Sequence, residues 1–218
     1  MASASIKFLT GLMLVGLLLF LPAGTLHYSC GWLLMAVLFV PMFVAGVVML
    51  CYSPELLKKR LDAKEKEKEQ KSVVALSGIM FVLAFVVAGL NFRYSWTVMP
   101  TWGVWSAVVV FLLSYVMYAE VLRENAYLSR TIEVQENQKV VDTGLYGIVR
   151  HPMYSATIFL FLSMPLVLGS LPSFMIMLAY IPIIVKRIRN EEAVLLKGLD
   201  GYADYCRKVR YRIIPFVF

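Results

Sequence analysis

The chain has 218 residues, of which 60% are hydrophobic and 16% charged, with a formal net charge of +7. A water-soluble domain carries about 25% charged residues, and several apolar runs here approach or exceed the ~20 residues that cross a bilayer. The composition therefore excludes an ordinary soluble domain and predicts an all-α, polytopic membrane protein, whose side chains have lipid as their main solvent.

In chain order, long spans are predicted at 6–26, 31–52, 72–92 and 103–122. The first, Ile6 to Leu21 with a single Lys7, looks like a signal sequence. Pro22-Ala-Gly-Thr-Leu-His27 matches a cleavage site poorly, and the spans that follow favour a retained helix. Between the second and third spans, a connector at 53–71 alternates Lys and Glu in Lys64-Glu-Lys-Glu-Lys-Glu-Gln-Lys71. That pattern reads as a solvated helical link held by weak i,i+4 pairs. After the fourth span comes a short hairpin, 153–169 and 171–186, turned by Gly169-Ser-Leu-Pro172. Its arms sit at the lower length limit for a crossing, so the pair either spans or re-enters. A cytosolic C-terminal helix follows. The chain thus divides into an N-terminal helical part, 1–122, and a 123–218 part expected to bind a cofactor.

Charge sets the expected orientation. The 53–71 connector holds seven Lys or Arg, the 123–151 segment four, and the chain from Lys186 onward eight. The opposite loops, 22–30 and 93–102, hold only Arg93. Positive-inside bias then places the basic segments and both termini in the cytosol. A nucleic-acid partner is not indicated, because the positive charge flanks spans and reports topology and anionic headgroups. Cys30, Cys51 and Cys206 are scattered and the two histidines lie far apart, which implies neither a metal site nor a disulfide framework. Charges inside the spans are scarce, which argues against an ion path. No GxGxxG or phosphate-loop pattern occurs, so a soluble-type dinucleotide fold is not expected.

Two polar clusters flank the hairpin. Arg150-His151-Pro152 stands where the fifth apolar run begins, and Pro suits a first helical turn. The free N–H groups and positive end of that turn favour an anion. Arg150 and His151 either serve such a site or simply sit among headgroups. Gly144 and Gly147 are expected to let backbone approach a ligand. Glu191 and Glu192 form an acidic pair just beyond the last apolar run, with Arg187 one turn before Glu191. They make either an interfacial salt bridge or a site in which a carboxylate holds a cofactor and an Arg holds an anionic substrate. Glu120 and Glu124, ending the fourth span, face either the cavity or the headgroups.

Val140-Val-Asp-Thr-Gly-Leu-Tyr-Gly-Ile-Val-Arg-His-Pro-Met-Tyr154, then Arg187-Ile-Arg-Asn-Glu-Glu192 and Tyr202-Ala-Asp-Tyr205, resembles the isoprenylcysteine carboxyl methyltransferase family. The resemblance implies an integral membrane methyltransferase using S-adenosylmethionine, with a cytosol-facing cofactor pocket and a lipid-like substrate entering from the bilayer. Carried over by motif, the cofactor contacts are Gln138, Val140, Val141, Tyr146, Arg150, His151, Pro152, Met153, Tyr154, Glu191 and Glu192. Arg187 and Glu191 take the catalytic positions, Arg187 near a substrate carboxylate. The acceptor is left open among carboxylates, thiols and lipid amines. Sterol reductases share a related tail, and this chain carries both its Tyr-x-x-Tyr-Cys and Tyr-Arg-Ile-x-Pro elements between Tyr202 and Pro215. An NADPH-dependent membrane reductase is therefore the alternative enzyme, and a non-catalytic membrane protein the alternative to both.

Overall fold

The computed structural model describes residues 2–52, 54, 57, 68–128 and 134–218. Most of the Lys/Glu connector lies outside the described residues. Among them every regular element is helical and there is no strand. The helices are α1 (Ala2–Ala23), α2 (Ser29–Tyr52), α3 (Lys68–Tyr94), α4 (Thr101–Glu124), α5 (Pro152–Val167), α6 (Leu171–Met177), α7 (Tyr180–Gly198) and α8 (Tyr202–Lys208), with a 3-10 turn at Gly144–Gly147. Among the described residues, five segments are long and apolar enough to cross a membrane: Ser5–Ala23, Ser29–Tyr52, Lys71–Tyr94, Thr101–Glu124 and Leu171–Gly198. Large apolar side chains such as Leu17, Val40, Phe43 and Leu113 point outward, as a lipid-facing surface requires.

The hairpin runs the full height of the helix bundle rather than stopping part-way. At its tip, Tyr28 donates its hydroxyl to Leu168 O at 2.7 Å, and Asn91 Nδ2 donates to Gly169 O at 3.4 Å. Tyr28 belongs to the loop joining α1 and α2, and Asn91 to the far end of α3. The tip therefore lies level with the loops at the end opposite the two polar clusters. Trp32, Trp96 and Trp102 are exposed at this same end, where an aromatic belt belongs.

The second arm differs from the single helix expected at 171–186. α6 stops at Met177, and Ala179 and Ile181 donate to Ile176 O and Leu178 O in tight i→i−3 bonds. Pro182 has no N–H to give Leu178 O, which breaks the ladder there. α7 then continues to Gly198. Arg187, Glu191 and Glu192 accordingly lie inside a helix, not beyond its end.

α5 packs along α4, and α1 along α3. The second contact is close: a Cβ built on Gly89 would lie 2.5 Å from Leu19 O. Small residues permit such approach between membrane helices. A second apolar cluster joins Met80 and Ala84 of α3, Tyr154 and Ile158 of α5, and Tyr180, Ile184 and Ile188 of the second arm. Ile213 of the tail completes it. This cluster supports the polar ends of α5 and α7 from below.

Candidate active site

α5 begins at Pro152, with His151 as the residue capping it. The chain entering the helix is held from outside: Arg150 N donates to Tyr211 O at 2.9 Å, and His151 N to Arg212 O at 2.8 Å. Ser155 Oγ adds a 2.6 Å bond to Ile213 O. The tail therefore runs beside the first turn of α5 and takes the two N–H groups that lead into it.

α7 brings the second cluster. Arg187, Glu191 and Leu195 recur every four residues and line one side of a cleft, while Ile184, Ile188 and Glu192 recur on the next face and are buried. The other walls come from Asn125, Tyr127 and Leu128 after α4, from 138–141, from Tyr146, from the start of α5, and from Leu199, Tyr202 and Tyr205. About 90 Å³ of this space is free, well below the ~300–1,000 Å³ of ordinary ligand pockets.

Within the cleft, Arg187 Nε donates to the Tyr154 hydroxyl at 3.0 Å, and that hydroxyl donates to Glu191 Oε2. His151 Nδ1 stands 3.9 Å from Glu191 Oε1, and its ring lies 5.7 Å from that of Tyr154. The chain Arg187–Tyr154–Glu191–His151 thus presents a cation, a phenol, a carboxylate and an imidazole to one space. Opposite it, Asn125 Nδ2 donates to the Tyr146 hydroxyl at 2.9 Å, and the Tyr205 hydroxyl to Tyr146 O at 2.7 Å.

Of the residues expected from the sequence, Gln138, Val140, Val141, Tyr146, Arg150, His151, Met153, Tyr154, Arg187 and Glu191 line this one cleft. Pro152 and Glu192 do not. Pro152 is fully buried as the opening residue of α5. Glu192 is 6% exposed and takes Arg150 Nε at 2.8 Å, His151 Nε2 at 3.3 Å and Arg212 Nε at 2.8 Å. It is the centre of an ion-pair hub behind the cleft. Arg150 belongs to the same hub, since its Nη1 also donates to Val209 O and Arg210 O. Its charge is spent on Glu192 and the tail instead of standing free for an anion.

Gly144 and Gly147 also serve packing. Gly144 has φ +53°, and a Cβ there would lie 2.8 Å from the Glu124 carboxyl carbon. Glu124 accepts from Thr143 Oγ1 at 2.7 Å, locking the 3-10 turn to the end of α4. Glu120 pairs with Arg123 at the surface. Among the described residues no cluster of His, Cys, Asp or Glu is suited to a metal.

Sequence reasoning left out Asn125, Tyr127, Leu128, Lys139, Leu195, Leu199, Tyr202 and Tyr205 from the lining. Leu195 was readable as the next four-residue step after Glu191, and the two tyrosines stood in a quoted motif. Nothing in composition or spacing singled out Asn125 to Leu128.

Residues 99–199 match the phospholipid methyltransferase family. That family is one of membrane methyltransferases related to the isoprenylcysteine enzymes. The matched stretch runs from the residues before α4 to Leu199 and carries most of the cleft. A further similarity is to Delta(14)-sterol reductase TM7SF2 of Mus musculus, 33% identical over 91 residues, which is 40% of this chain and 22% of that protein. The similarity thus takes in about a fifth of the reductase's length. The methyltransferase-family segment stops before Tyr202, so the tail that closes the cleft lies outside it.

Proposed function

We propose that this protein transfers a methyl group from S-adenosylmethionine to a lipid-like or membrane-associated acceptor, a carboxylate, thiol or amine, at the cytosolic face of the membrane. The observation that carries this reading is the meeting of His151, Tyr154, Arg187 and Glu191 in one cleft within the segment that matches the phospholipid methyltransferases. The cofactor contacts are Gln138, Val140, Val141, Tyr146, His151, Met153, Tyr154 and Glu191, with Arg187 on the acceptor side. Residues 123–218 then form the cofactor-binding part, and both termini lie in the cytosol.

The chemistry of the lining fits the donor. Tyr146, Tyr202 and Tyr205 offer flat apolar faces and polar edges to a purine and ribose, and Glu191 offers a carboxylate to a cation. When bound, S-adenosylmethionine supplies an electrophilic methyl: the acceptor lone pair bonds to the carbon as the carbon–sulfur bond breaks, leaving a neutral thioether. An in-line displacement of this kind asks the protein mainly for alignment, with reacting atoms about 3 Å apart. Arg187, held by the Tyr154 hydroxyl, has a fixed place from which to orient an anionic headgroup. Glu191, held by the same hydroxyl, is fixed with respect to Arg187. Exclusion of water would strengthen both attractions.

The test is incubation of the purified protein with methyl-labelled S-adenosylmethionine and a membrane lipid extract. Label in a lipid-soluble product supports the reading, and its absence from every fraction at saturating donor sinks it. A second reading, an NADPH-dependent reductase, draws on the partial similarity to the sterol reductase. Titration with both cofactors separates the two: saturable binding of NADPH alone would favour the reductase.

A further inference from the structure

Five tyrosines line the cleft: Tyr127, Tyr146, Tyr154, Tyr202 and Tyr205. The protein satisfies four of their hydroxyls. Tyr127 donates to Asn137 O, Tyr146 accepts from Asn125, Tyr154 bridges Arg187 and Glu191, and Tyr205 donates to Tyr146 O. Tyr202 differs. The residue is 4% exposed, and among the described residues its buried hydroxyl has no oxygen or nitrogen partner, only a weak side-chain hydrogen bond with the Cys206 sulfur one turn on, which leaves the phenol oxygen with nothing to accept from. A buried hydroxyl that has exchanged water for a thiol alone is costly, and such groups are few in native structures.

The surroundings say what would satisfy it. The negative charges of Glu191 and Glu192 act on Tyr202, opposed by Arg150. Burial first, then the Cys206 sulfur and the Glu192 and Glu191 carboxylates, push the phenol well above its ordinary range, so it stays neutral. A neutral phenol oxygen beside carboxylates is suited to a ligand group that brings a proton. We propose that the Tyr202 hydroxyl is a cofactor-binding group, accepting a hydrogen bond from a hydroxyl or ammonium of the bound methyl donor. This rests on the methyltransferase reading above and adds to it a residue outside the segment matching the family.

The test is Tyr202→Phe, which deletes only the oxygen. Binding is measured in detergent with S-adenosylmethionine and with 5′-methylthioadenosine, which keeps the ribose but lacks the ammonium. A weakening of roughly tenfold is expected, the size of one lost hydrogen bond at the upper end of the usual range, with the melting temperature of the ligand-free protein unchanged or raised. Weakening with both compounds identifies a ribose hydroxyl; weakening with S-adenosylmethionine alone identifies the ammonium. Equal affinity of variant and wild type for both, or a lowered melting temperature matching that of Tyr205→Phe, overturns the assignment while leaving the methyltransferase reading intact. Failure of the wild type to bind either compound overturns both.

Discussion

Arg150 Nε and Glu192 Oε1, 42 residues apart in the chain, meet at 2.8 Å with both side chains only 8% exposed. Through the same carboxylate, Arg212 joins the pair. Three separate segments, the start of α5, the middle of α7 and the tail, are thereby fixed to one another. The cleft lies on top of this hub, so its geometry depends on a group that does not face it.

Removing that group is expected to be expensive. Glu192→Ala leaves two guanidinium groups without their carboxylate, and breaking a buried pair from one side costs about 3–5 kcal/mol. Thermal unfolding in detergent should show a large fall, with Glu192→Gln intermediate because the amide still accepts hydrogen bonds. A melting curve like the wild type's would mean that the hub carries no stability.

Glu191 should behave in the opposite way. It is partly exposed in the cleft and bonded to Tyr154. Glu191→Ala is expected to leave stability within about 1 kcal/mol, the scale of one ordinary hydrogen bond, and to weaken S-adenosylmethionine binding at least tenfold. Tyr154→Phe unlinks Arg187 from Glu191, and turnover should drop by roughly tenfold, the worth of about 1.4 kcal/mol in alignment. Calorimetric titration and initial rates with the labelled donor give both numbers; unaltered values would remove the residue concerned from the site.

Close helix packing offers a test of the scaffold. At Gly89 an added Cβ would meet Leu19 O at 2.5 Å, and neither backbone can yield without separating α1 from α3. Gly89→Ala should destabilise by about 1–3 kcal/mol, as overpacking does. Gly78 has nothing within 4 Å of a built Cβ. There, Ala is expected to be neutral or mildly stabilising, since Ala suits a helix better than Gly. The pair of melting temperatures, measured side by side, decides the matter.

The proposed orientation rests on the positive-inside bias of the basic segments and is open to direct measurement. In a cysteine-free background, His27→Cys, in an exposed position between α1 and α2, should react with an impermeant maleimide from the non-cytosolic side. Glu136→Cys, exposed beside the cleft segment, should react only after the cytosolic side is opened. The reverse pattern would invert the assignment.

The helical course of the chain was legible because lipid imposes one simple requirement, an apolar run long enough to cross. Spans expected at 6–26, 31–52, 72–92 and 103–122 correspond to helices Ala2–Ala23, Ser29–Tyr52, Lys68–Tyr94 and Thr101–Glu124. The sides of the cleft were legible where helical spacing applies, as in Arg187 and Glu191. What sequence could not separate was charge open to the cleft from charge paired in the ion-pair hub beside it. Arg150 and Glu192 have the same chemistry as Arg187 and Glu191, and only tertiary contacts assign them to the hub. The break before α7 was signalled by Pro182, but an apolar run hides such a signal when length alone is counted. Asn125, Tyr127 and Leu128 follow no periodicity; they come just after Glu124, which accepts from Thr143 beside the turn at Gly144.

α5 has 16 residues, a length of about 24 Å at 1.5 Å per residue. The hydrocarbon layer is about 30 Å deep, yet the bonds from Tyr28 and Asn91 hold the hairpin tip at the level of the opposite loops. The surrounding lipid must therefore thin beside this hairpin, or the helix must draw polar groups inward. Bilayer thickness becomes a variable of the proposed methyl transfer: reconstituted in lipids of graded acyl length, the protein should work best in thin membranes, such as those near ~27 Å, and lose activity as the chains lengthen.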